Sequence, residues 1–119
     1  MTTNIDEKID ASPKTAAVVK QAASELEATV GDFVLPVTAQ WQVTTDTAGR
    51  PLVQLTLTVT EDDGSETSVV GRYAPSELKD SRRRERELNR VWSNLLAVRA
   101  PKAMRRLRDL VASLKDDGE

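Results

Sequence analysis

Apolar and polar positions recur along this chain with two periods, and the period changes at nearly every proline and glycine. Val19, Ala22, Ala23, Leu26 and Val30 repeat at helical spacing, which predicts a helix over residues 13–30 with one apolar stripe. Ser12 suits its N-cap, Pro13 its first turn and Gly31 its left-handed stop. The period then becomes two. Val37, Ala39, Trp41 and Val43 alternate with Thr38, Gln40, Gln42 and Thr44, and Val53, Leu55, Leu57 and Val59 alternate with Gln54, Thr56, Thr58 and Thr60. These runs predict strands over 37–45 and 52–60, each with one buried face. A weaker third strand covers 66–73, with Val69 and Tyr73 on the inner side. Turn residues 46–50 and Asp62-Asp63-Gly64 join consecutive strands, so the pairing is antiparallel. Gly71 alone interrupts an element, as the mark of a bulge or a protected edge.

The helical period returns near residue 80, where Asp80 or Ser81 can cap. Leu88, Val91, Trp92, Leu95 and Leu96 form one stripe. Pro101 reads as a restart, and Ala103, Met104, Leu107, Leu110, Val111 and Leu114 form another, so a hairpin or kinked pair of helices is expected. The fold class is α+β: a three-stranded antiparallel meander with helices packed on one face, in the order α-β-β-β-α-α. That packing buries all three stripes and one sheet face. Residues 1–12 are expected to be a disordered segment, 13–115 one domain, and 116–119 a frayed acidic tail.

Composition narrows the chemistry. The 119 residues include no histidine and no cysteine. Ser-His-Asp triads, Cys–His dyads, disulfides and His or thiolate zinc sites are therefore excluded within one chain. Glu61-Asp62-Asp63-Gly64 lacks the spaced ligand ladder of a calcium loop and reads as a hairpin turn. Gly49 and Gly64 stand alone, so no glycine-rich phosphate loop is present. Neither an enzyme nor a cofactor or metal is expected. The polar, acidic start is not expected to act as a signal peptide, no apolar run is long enough to cross a bilayer, and a cytoplasmic location without membrane contact is expected.

Charge is strongly polarised. Residues 1–78 hold five basic and twelve acidic side chains, a net of −7; residues 79–115 hold twelve and four, a net of +8; the last four residues carry −3. The sharpest cluster, Lys79, Arg82, Arg83, Arg84, Arg86 and Arg90, is a candidate phosphate-contacting surface. The order helix, three-stranded meander, helix resembles that of double-stranded-RNA-binding domains, whose basic cluster opens the helix after the third strand. Their Lys-Lys-x-Ala-Lys pattern is replaced here by Leu78-Lys79-Asp80-Ser81-Arg82, so the resemblance is one of topology. Base stacking has little to use, because the only aromatics are Phe33, Trp41, Tyr73 and Trp92. Both tryptophans fall on apolar stripes and are expected in the core.

The uncharged sheet face, Thr38, Gln40, Gln42, Thr56 and Thr58, is a candidate docking face for a partner or a second copy. The leading expectation is thus a non-catalytic protein-interaction or adaptor module with a protein partner or self-association as a homodimer. Nucleic-acid binding through the basic C-terminal helices is the second reading.

Overall fold

The computed structural model describes residues 1–5 and 13–117. Its elements, in chain order, are β1 (Thr2–Ile5), α1 (Pro13–Val30), β2 (Val37–Thr45), β3 (Pro51–Thr60), β4 (Glu66–Tyr73), α2 (Pro75–Lys79) and α3 (Ser81–Asp117). The class is α+β, as the periodicity requires. The sheet has four strands in the order β1-β2-β3-β4. Strands β2, β3 and β4 form the antiparallel meander, with Trp41 opposite Leu55 and Leu57 opposite Val69.

Three expectations are corrected. First, residues 1–12 are not wholly without structure: Thr2–Ile5 pairs parallel with β2, placing Ile5 opposite Trp41. The sheet is therefore mixed, with α1 as the crossover between its parallel strands. This added strand also departs from the helix–meander–helix order of double-stranded-RNA-binding domains. Residues 6–12, with the expected Ser12 cap, lie outside the described residues.

Second, Pro101 does not divide the C-terminal region. α3 runs unbroken for 37 residues through it, about 55 Å at 1.5 Å per residue. Its helical state persists to Asp117, past the expected start of fraying. Proline removes the hydrogen bond to the carbonyl four residues back, that of Ala97. Ala97 is exposed, so water can satisfy that carbonyl.

Third, the last stripe is not buried. The core consists of Val19, Ala22, Ala23, Leu26 and Val30 from α1, the inward residues of β2 and β3, Tyr73, Leu78, and Leu88, Val91 and Leu95 of α3. Beyond Arg99, α3 leaves this core.

Local chemistry explains the element ends. Gly31 takes φ +56°, and its N–H donates to the Glu27 carbonyl at 3.0 Å, closing α1. Asp80 caps α3, its Oδ1 accepting from the Arg82 N–H at 3.0 Å. Glu77 of α2 reaches back to the Ala74 N–H at 3.1 Å. Pairing runs unbroken through Gly71, so there is no bulge. The Tyr73 ring lies across Gly71, and a Cβ there would collide with it.

Trp41 is fully buried, as expected, and among the described residues its Nε1 meets no acceptor. Such an orphan donor costs about 1–3 kcal/mol. Trp92 sits at the core's edge and meets Phe33 edge-on, centroids 5.0 Å apart.

Tyr73 is 4% exposed. Burial, with Glu87 adding to it, pushes its phenol up to about 12. Folding therefore holds the proton more tightly than the unfolded chain, whose phenol titrates near 10. Stability from this group is complete below about pH 10 and falls by about 2–3 kcal/mol as pH rises to about 12. The chain has a single tyrosine, so tyrosinate absorbance reads it directly. A titration midpoint at the ordinary value in folded protein would contradict the burial.

Candidate interaction surface

The sequence clusters charge at the start of α3, but the structure divides those residues by role. Arg84 is 8% exposed. Its Nε and Nη2 grip the Glu25 carboxylate of α1 at 2.5 and 2.7 Å, and its Nη1 donates to the Leu78 carbonyl at 2.8 Å. Hydrogen bonds from Arg84 hold the Glu25 carboxyl below its ordinary value, and Glu25 raises Arg84 in turn. Arg84 is thus a clamp between α1, α2 and α3 and presents no free fork to a phosphate. Arg83 pairs with Glu77 at 3.5 Å and Arg90 with Glu87 at 3.6 Å, both cations remaining more than half exposed. Lys79, Arg82 and Arg86 are exposed. Residues 91–98 carry no charge and separate this cluster from Arg99, Lys102, Arg105, Arg106 and Arg108.

The second cluster is partly neutralised from the acidic half. Glu61, at the base of the β3–β4 turn, is 6% exposed. Its carboxylate accepts from Arg99 Nε at 2.6 Å and Nη2 at 3.2 Å, and from Arg106 Nη1 at 3.2 Å. Asp63 lies 3.9 Å from Arg106, and hydrogen bonds from Ser65 hold its carboxyl below the usual value. Lys102 Nζ donates to Thr67 at 3.3 Å. One hairpin therefore grips α3 on both sides of Pro101. Arg99 also lies over the Phe33 ring, 5.7 Å from its centroid. Glu61-Asp62-Asp63-Gly64 does form a hairpin turn: the Gly64 N–H donates to the Glu61 carbonyl at 2.9 Å with φ +85°. Sequence reasoning missed Glu61 as an anchor, because its two arginines lie 38 and 45 residues away.

Gripping that side of α3 turns another side to water. Leu88, Val91 and Leu95 face the sheet, and Arg99, Lys102 and Arg106 continue that side past the core. At 100° per residue the apolar stripe lies roughly a third of a turn away. It runs through Leu96, Ala100, Ala103, Met104, Leu107, Leu110, Val111 and Leu114. Met104 is 57% exposed, Leu107 53%, Leu110 58%, Val111 43% and Leu114 62%. Leu96 and Trp92 connect this stripe to the core's edge.

Thr38, Gln40, Gln42, Thr56 and Thr58 lie half-buried on the sheet face away from the helices. Thr58 is tied to Ser68 at 2.8 Å, and Val70 is exposed on the same face. A depression of about 540 Å³ between α1 and α2 is lined, among the described residues, by Lys14, Thr15, Ala17, Val18, Pro75, Ser76 and Lys79. Among the described residues no group of three or more His, Cys, Asp or Glu could hold a metal, and no helix is long and apolar enough to cross a membrane. No family model, curated protein or solved structure matches the chain.

Proposed function

We propose that this chain is a non-catalytic protein-interaction module that docks through the projecting half of α3. One observation carries this reading: five large apolar side chains, from Met104 to Leu114, stand about half in water on one helical face. Soluble chains rarely leave a contiguous apolar patch of that kind uncovered. Two facts support the absence of catalysis. The shifted groups Glu25, Asp63, Tyr73 and Arg84 are each accounted for by a structural contact or by burial. Among the described residues Glu25 and Tyr73 line separate depressions.

Nucleic-acid binding is the less favoured reading, because acidic side chains from the acidic stretch, residues 1–78, engage Arg83, Arg84, Arg99 and Arg106. Arg82 and Arg86 would carry it. Binding to DNA or RNA that weakens steeply with salt would restore it.

The test places a photo-crosslinking residue at position 107 of the full chain in its own cells, with Lys20, exposed on α1, as control. Adducts are expected at 107 and not at 20. They should vanish when Leu110→Asp and Leu114→Asp are added, while the melting midpoint moves by no more than about 2 °C, since exposed side chains carry little folding energy. Equal labelling at both positions, or adducts indifferent to the aspartates, would defeat the proposal.

A further inference from the structure

We infer that the occupant of the α3 stripe is the same stripe of a second copy, laid antiparallel; this rests on the docking surface proposed above. Three features of the projecting helix converge on it.

The first is spacing. Leu96, Ala100, Ala103, Leu107, Leu110 and Leu114 follow one another at steps of four, three, four, three and four. That heptad seam is the pattern of paired helices. The flanking positions 104 and 111 are Met and Val, which widen the seam.

The second is charge along the axis. Residues 100–108 hold Lys102, Arg105, Arg106 and Arg108, a net of +4, and residues 109–117 carry a net of −2. Parallel pairing would set like on like. Antiparallel pairing with Leu107 of one copy beside Leu110 of the other sets the basic stretch alongside the acidic one, and opposite charges across an interface fix register and orientation. That register also places Ala103 against Leu114, small against large, so the seam interlocks.

The third is the absence of a bar to approach. The charged residues beside the seam, Arg99 and Arg106, are turned onto Glu61. Lys102 reaches Thr67 of β4. A second helix can therefore come to the usual 8–10 Å without meeting an unpaired charge at the seam's edge.

The paired segment is short, so the dimer forms and dissociates with concentration. The experiment uses the purified full chain. Sedimentation equilibrium across a concentration series should show the mass rising from one chain toward two. Leu107→Asp together with Leu110→Asp should weaken association roughly thirty-fold or more, the scale of losing central anchors. Orientation is read by disulfide trapping, which is clean because the chain has no cysteine. Ala103→Cys mixed with Leu114→Cys should give the mixed disulfide, with little cross-linking of either variant alone.

Homodisulfides from each variant alone would overturn the antiparallel arrangement. A chain that stays single at every concentration would overturn self-pairing. If position 107 still cross-links to another protein in cells, the docking surface stands without this occupant. A single chain that instead co-sediments with vesicles of anionic lipid would assign the stripe to a membrane surface.

Discussion

Glu61→Ala is expected to destabilise the folded chain by about 3 kcal/mol and to loosen α3 beyond Arg99. Removing one partner of a buried ion pair costs about 3–5 kcal/mol, because the other charge stays behind without its match. Here the lower figure applies, since the Arg99 and Arg106 side chains are 25% and 43% exposed and water can partly replace the carboxylate. For a chain of this size the melting midpoint should fall by roughly 10 °C. Glu61→Gln keeps the volume and an acceptor and loses the charge, so it should cost about half as much. Hydrogen exchange gives the sharper reading. Amides of residues 100–108 should lose protection in Glu61→Ala while those of β2 and β3 keep theirs. Uniform loss would mean that Glu61 supports the whole domain and has no particular hold on the projecting helix.

Arg84→Ala should cost a similar amount, about 3 kcal/mol, for a different reason. It strips the bidentate donor from Glu25 and the Nη1 donor from the Leu78 carbonyl. Glu25 is about a third exposed, which again sets the lower end of the range. The pH dependence separates this effect from lost packing. Arg84 depresses the Glu25 carboxyl. The pair's contribution is therefore present above the unfolded value of about 4.3 and is lost as pH falls through the lower folded value. Chemical denaturation at neutral pH and under acid conditions should show the gap between wild type and Arg84→Ala narrowing on acidification. A constant gap would mean that the side chain acts by filling space alone. Arg82→Ala, two residues before the clamp, pointing away from it and exposed, should change stability by less than about 0.5 kcal/mol.

Where a single element carried its own periodic signal, the sequence disclosed it. Val53, Leu55, Leu57 and Val59 could only be one buried strand face, Gly31 marked a helix end, and the cap of α3 was narrowed to Asp80 or Ser81 through local backbone chemistry. The strand Thr2–Ile5 was illegible because four residues give no periodicity and its pairing is with a segment beyond a whole helix. α2 has five residues, too few for a stripe. Pro101 misled for a related reason. Locally it is a breaker, and the hairpin that grips the helix on both sides of it is distant in sequence. The candidate surface was half legible. The apolar stripe from Ala103 to Leu114 was readable, but its exposure was not, because a heptad looks the same whether it faces its own sheet or water. Arg84 shows the converse: one arginine among the five of residues 82–90, at the start of a charged helix, gives no sign that it is the buried one.

The projecting helix also governs how the single chain moves through solution. The molecule measures 64 × 26 × 22 Å, with a radius of gyration of 17.6 Å. A compact chain of this length would have about 13–14 Å. Friction follows shape as well as mass, so one copy diffuses slowly and leaves a sizing column early, ahead of compact standards of equal weight. Elution volume alone would count it as more than one chain, and only a method that weighs the particle independently of its outline can tell a long monomer from a true pair.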